Sequence, residues 1–186
     1  TITVNNHPFT VHAENTFNRV VIVKDGNRSI KLSVSNEELP VYGVTFESDS
    51  GIFLDNFSFR GITGIEFAKI DSSFLNAIAA GNPYDLIIFQ YGVNLLFRPN
   101  DKNFNWYARA LLPVINKFRN CFTGTEFLMV CTADRAFRYG GEYKSAIGID
   151  SLIKVQATLA YETGSNFYNQ FASMGGTNSI VDWASR

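Results

Sequence analysis

A chain of 186 residues is long enough for one good core or for one and a half small domains. It is 46% hydrophobic and 15% aromatic, with a formal net charge of −1 and no long acidic or basic block. That balance describes a packed globular protein with aromatics to spare for its surface, and it argues against nucleic acid as a partner. No apolar run reaches transmembrane length, and no stretch reads as a signal peptide. The chain opens at Thr1 rather than Met, so a processed, trimmed or partial chain is expected and the compartment stays open.

Residues 1 to about 46 read as β-rich. Phe9–Ala13 and Ile30–Val34 alternate with period two. Val20–Val23 runs into Lys24-Asp25-Gly26-Asn27, a hairpin signal, and Val41–Phe46 follows Pro40. Four or five antiparallel strands of a sandwich or jelly roll are the expectation. The character changes near Ser48, which divides the chain into a β-rich segment, 1–47, and a second domain, 48–186.

In the second domain Gly51–Leu54 reads as a buried strand that ends in the turn Arg60-Gly61-Ile62-Thr63-Gly64. A helical period follows through Ile65, Phe67, Ala68, Ile70, Phe74, Leu75 and Ile78. Asn82-Pro83 then precedes Leu86–Phe89, a continuous apolar run of the kind that is buried on both faces of a parallel sheet. Asn103–Arg119 reads as a helix that Pro113 kinks or divides, with Trp106 in its core stripe. Glu126–Cys131 is a third buried strand, Thr132–Gly141 a loop, Gly148–Thr163 a helix and Asn166–Tyr168 a short last strand. Met174–Ile180 reads as a loop, and a helix starts at Val181. Strand alternating with helix predicts a doubly wound parallel sheet.

Loops that leave the carboxyl ends of parallel strands carry the ligand chemistry of open α/β sheets. Two such loops matter here. One ends in Arg60-Gly61, whose backbone N–H is free to bind an oxyanion. The other is Gly92-Val93-Asn94, whose side-chain amide can donate to developing negative charge. Consecutive strands place Gly61 and Asn94 on the same edge, where both donors can meet one oxygen. Gly-x-Asn alone is also an ordinary turn. Asp134, after the third strand, positions substrate or a neighbouring loop, or merely caps a turn. Arg60 and Arg98 meet a carboxylate on an acidic glycan, or pair with a local acid. Tyr139–Tyr143 is a sugar-stacking loop or a plain surface turn. Cys121 and Cys131 read as free thiols, and no Cys/His cluster has metal-ligand spacing, so neither metal nor cofactor is expected.

These blocks resemble the SGNH (GDSL-like) hydrolases. Phe59-Arg60-Gly61 is similar to the family's second block, and Gly92-Val93-Asn94 to its Gly-x-Asn block. The likeness runs from about Val41 onward. It is closest to a bacterial branch related to peptidoglycan O-acetylesterases, which carry an inserted β-rich, carbohydrate-binding-like module. Val41–Glu47, Gly51–Gly61 and Met174–Trp183 resemble segments of that branch.

The resemblance implies a flavodoxin-like three-layer α/β/α domain with a parallel sheet, preceded by a partial β-sandwich or jelly-roll segment. It implies Gly61 and Asn94 as an oxyanion hole, and Arg60, Gly92 and Asp134 as substrate-binding residues. It further implies ester hydrolysis through an acyl-enzyme, an acetylated glycan or peptidoglycan as substrate, and an extracytoplasmic setting.

Two of the family's blocks are missing. No Gly-Asp-Ser precedes Val41, no Asp-x-x-His follows Trp183, and the only histidines are His7 and His12. Ser58, Ser72 and Ser73 lack a paired base and read as surface or capping residues. The expectation is a fragment of an esterase whose serine and Asp–His pair lie beyond these residues. The alternative is a non-catalytic glycan-binding or interaction protein on the same fold.

Overall fold

In a computed structural model of the chain, residues 2–10, 17–22, 29–35, 41–48 and 50–186 are described. They fall into two compact units, Thr1–Phe57 and Ser58–Arg186. The first holds a three-stranded antiparallel sheet of β1 (Ile2–Val4), β2 (His7–Phe9) and β3 (Leu32–Val34), ordered β2-β1-β3. Asn5 and Asn6, both at positive φ, turn β1 into β2. Such pairs of left-handed residues match the twist of a tight hairpin, and asparagine tolerates them better than most residues. Asn5 also receives the Lys31 N–H on its side chain at 2.8 Å and donates its own N–H to the Lys31 carbonyl at 2.9 Å, which sets β3 beside β1.

The fourth and fifth expected strands are not found among the described residues. Residues 20–22 and 41–46 form no ladder, and Lys24–Asn27 and His12 lie outside the described residues. Gly51–Leu54 is not a buried strand either: Ile52 is fully exposed and Leu54 nearly so. An apolar run becomes a buried strand only when a partner supplies its backbone hydrogen bonds, and no described residue does so here.

The second unit is α/β. After a 3₁₀ turn (Ile65–Lys69) come α1 (Ser72–Gly81), β4 (Leu86–Gln90), α2 (Asn105–Cys121), β5 (Glu126–Val130), β6 (Ala136–Tyr139), β7 (Glu142–Ser145), α3 (Ile149–Glu162), β8 (Asn166–Tyr168), α4 (Gln170–Met174) and α5 (Ser179–Ala184). β4, β5 and β8 make a parallel sheet in that order, with Leu86 opposite Glu126 and Val130 opposite Tyr168. The expected α/β class with a parallel sheet and an antiparallel segment before it is therefore what the chain forms.

The core lies between this sheet and two helices. Phe89, Phe127 and Met129 point to one face and pack with Tyr107, Leu111, Val114 and Ile115 of α2 and Leu152 and Leu159 of α3. β4 is buried on that face only. It is an edge strand, and Leu86 and Ile88 on its opposite side are half-exposed.

Four further readings change. The helical period from Ile65 is broken in two because Asp71 caps a new helix, its carboxylate accepting the Ser73 N–H at 2.7 Å. Pro113 does not divide α2, which continues as one element while the turns on either side are held in the core. Trp106 is 46% exposed; Tyr107, four residues before Leu111, takes the core position. Thr132–Gly141 is not a plain loop: it contains β6, which pairs with β7 through Gly140-Gly141, both at positive φ.

Candidate functional site

The turn from Gly61 to Gly64 is held from three sides. Asn94 donates its side-chain amide to the Ile62 carbonyl at 2.8 Å. The buried Tyr107 hydroxyl donates to the Thr63 carbonyl at 2.8 Å. Glu66 accepts from the Thr63 N–H at 2.9 Å and from its hydroxyl at 3.2 Å. Gly64 lies at φ +93 against the Tyr91 ring, where a Cβ would come within 2.8 Å of a ring carbon, so the turn packs down onto the exit of β4.

Three titrating groups here are shifted, Tyr91 among them, raised by burial and by Glu66. Burial pushes the Tyr107 hydroxyl well above the ordinary tyrosine range, with smaller contributions from Tyr91 and Glu66, so it stays a neutral donor. For Glu66, partial burial raises the value, but hydrogen bonds from its own N–H, from Thr63 and from the Gly64 N–H outweigh it. The carboxylate is held below its usual range.

The 3₁₀ turn that follows is anchored by Lys117 of α2. Its ammonium donates to the carbonyls of Phe67 and Ala68 at 2.9 Å and of Ile70 at 2.7 Å. The Phe67 carbonyl also accepts the Ile70 N–H at 3.2 Å, and a three-donor cation reaches all three carbonyls at the end of this short helix.

The exit of β4 is equally constrained. The Arg135 guanidinium donates to the Val93 carbonyl at 2.9 Å. Gln156 of α3 donates to the Tyr91 carbonyl at 2.7 Å. Gly92 is buried at φ +132, and a Cβ there would meet Thr132 Cβ at 2.7 Å. Asn94 itself is exposed at the end of these contacts.

The predicted residues are therefore brought together unequally. Gly61 and Asn94 share one place, because Asn94 binds the carbonyl of the residue after Gly61. The Gly61 N–H makes no hydrogen bond among the described residues, and Gly61 and Arg60 are both exposed. One N–H of the Asn94 amide is used by Ile62; the group has two. Gly92 and Asp134 are turned inward. Asp134, 4% exposed, accepts the Ile180 N–H at 3.1 Å and the Ser179 hydroxyl at 3.4 Å, tying the start of α5 to the exit of β5. Its Oδ1 is buried with no hydrogen-bond partner among the described residues. Arg98 lies over the Phe97 ring, its guanidinium carbon 5.0 Å from the centroid. Ser73 sits in the first turn of α1 and His7 in β2 of the first unit.

Sequence reasoning missed Tyr107, Lys117, Arg135 and Gln156. Each acts on a backbone group far away in sequence, and such a pairing leaves no local pattern. Met174–Ser179 is held to the β6–β7 hairpin by a reciprocal pair, Ser145 N–H to the Asn178 side chain at 2.9 Å and Asn178 N–H to the Ser145 hydroxyl at 2.7 Å. Cys121 and Cys131 are free thiols. Among the described residues no group of three or more metal-ligating side chains comes together, and no helix is long and apolar enough to cross a membrane.

No family model matches the chain, and no curated protein matches it. A solved peptidoglycan O-acetylesterase chain does match in structure, over 67% of this chain at a TM-score of 0.58 and 19% sequence identity. The two share a fold. The match covers 35% of the esterase chain, so this chain spans about a third of that chain's length.

Proposed function

We infer that this chain carries the oxyanion-binding side of an ester hydrolase that removes acetyl groups from a glycan or peptidoglycan. One observation carries the reading: the amide of Asn94 is docked on the carbonyl of Ile62, the residue after Gly61, which ties the Gly-x-Asn turn at the exit of β4 to the Gly61 turn. The shared fold with a peptidoglycan O-acetylesterase supports the reaction class and the substrate class.

In this reading a serine hydroxyl attacks the acetyl carbonyl. The tetrahedral oxygen takes hydrogen bonds from the Gly61 N–H and from the second N–H of the Asn94 amide. Collapse expels the sugar hydroxyl and leaves an acetyl-enzyme that water hydrolyses. Donors held in place before the charge appears need no reorganisation during the reaction, and the anchors on Thr63, Val93 and Tyr91 supply that rigidity. Arg60, exposed beside Gly61, meets an anionic group of the glycan, while Gly92 and Asp134 shape the loops rather than touch substrate. The serine and the Asp–His pair are carried on sequence flanking these residues. Residues 1–47 belong to a carbohydrate-binding-like module, and the enzyme works outside the cytoplasm.

The test is acetate release from O-acetylated peptidoglycan by the natural protein, with the acyl-enzyme trapped by a serine-directed phosphonate and located by mass spectrometry. Labelling of a serine outside these 186 residues supports the assignment. A natural protein that binds the glycan and releases no acetate establishes the non-catalytic alternative instead.

A further inference from the structure

The last rung of the β4–β5 ladder pairs Gln90 with Val130. Beyond it β4 and β5 part, and the next link between them is made by a side chain from neither strand. Gln156 accepts the Thr132 N–H on Oε1 at 2.9 Å and donates from Nε2 to the Tyr91 carbonyl at 2.7 Å. The orientation of the amide is dictated by its partners, since a backbone N–H only donates and a carbonyl only accepts. Gln156 is 1% exposed.

An apolar side chain of similar length would fill this space but take these partners from the Thr132 N–H and the Tyr91 carbonyl. What the glutamine adds is direction: one donor and one acceptor, matched to one strand exit each. Gly92 is packed directly on this bridge, with Nε2 3.1 Å from the position its Cβ would take, and Asn94 lies two residues further on. We propose that Gln156 is a positioning residue for Asn94. Its amide sets the separation of the two strand exits, and through Gly92 it sets the direction in which the Asn94 amide points. The catalytic consequence rests on the oxyanion reading given above; the positioning does not.

The discriminating variant is Gln156→Glu in the natural protein. Neutral, the introduced carboxyl still donates to Tyr91 and accepts from Thr132. Ionised, it sets a second acceptor against the Tyr91 carbonyl. Burial raises its pKa, so the neutral form prevails at low pH and the bridge is lost as pH rises through that raised value. The readouts are the side-chain amide resonances of Asn94, assigned by their loss in Asn94→Asp, and kcat for acetyl-ester hydrolysis. The parent's own pH profile, to which the histidine of the esterase reading contributes, is the reference at each pH, since a glutamine does not titrate. Relative to that profile, the resonances of Gln156→Glu move in one additional titration, and kcat falls about tenfold over it with KM unchanged, the loss expected for one hydrogen bond's worth of positioning. Gln156→Met, which lacks both groups, shows shifted resonances and a lowered kcat at every pH; it decides the matter if ionised Gln156→Glu unfolds. Asn94 resonances that coincide with the parent's in both folded variants overturn the proposal. Absence of hydrolysis by the parent overturns the esterase reading alone, and the resonances still decide the role of Gln156.

Discussion

The Asn94 amide nitrogen lies 2.8 Å from the Ile62 carbonyl oxygen, bridging two loops 32 residues apart in sequence. This bond joins the Gly61 turn to the Gly-x-Asn turn. It also leaves the amide with one N–H to spare, and the Gly61 N–H has no partner among the described residues.

Asn94→Ala in the natural protein is expected to lower kcat for acetyl-ester hydrolysis by about 10²–10³-fold, the usual loss for one oxyanion donor. Asn94 is exposed, so the melting temperature should move little. A kcat equal to that of the parent would remove Asn94 from the chemistry.

Gly92→Ala should destabilise the fold itself. The added Cβ would stand 2.7 Å from Thr132 Cβ, on a backbone at φ +132 that side chains rarely adopt. Both effects oppose folding, and a loss of about 2–3 kcal/mol is expected in denaturant titration. Stability within a few tenths of the parent's would show that the β4 exit can rearrange.

Lys117→Met removes one cation from three carbonyls of the turn after Gly64. A loss of about 2 kcal/mol is expected, since hydrogen bonds to charged groups contribute more than neutral ones. Amide exchange should rise at Phe67–Asp71 before it rises in the sheet; uniform exchange would contradict a local anchor.

The Glu66 carboxylate should make the Gly61–Gly64 turn acid-sensitive. Its pKa is lower folded than unfolded, so its contribution is present above the unfolded value and is lost as pH falls through the folded one. The difference in stability between the parent and Glu66→Gln should therefore be level near neutrality and shrink below about pH 4. A difference that grew on acidification would reverse the sign argued here.

Asp134→Ala takes the acceptor from the Ile180 N–H and should free the start of α5. A cost of about 1–3 kcal/mol is expected for a buried donor left unpaired. Faster exchange confined to Ser179–Ala184 is the accompanying signature.

How much was legible in the residues follows from how local each feature is. Leu86–Phe89, Glu126–Val130 and the apolar stripe of α2 are contiguous patterns, and they specify the parallel sheet and the helix on it without reference to anything else. The Gly-x-Asn turn was visible as a loop at the end of β4 for the same reason, whereas the glycine turn was expected after a strand at Gly51–Leu54 and follows none among the described residues. Gly51–Leu54 and Val41–Phe46 read as strands by composition and form none among the described residues, because a strand is completed by a neighbour that its own sequence does not contain. Trp106 and Tyr107 are adjacent aromatics; which one enters the core depends on where the helix faces the sheet. The same holds for the site. The sequence by itself determined that Asn94 sits in the loop leaving β4 and that Gly61 sits in a glycine turn before a helical segment. Only the tertiary structure decided that Ile62, Tyr107, Arg135 and Gln156 hold those loops together, because hydrogen bonds between distant residues depend on where folding brings the chain.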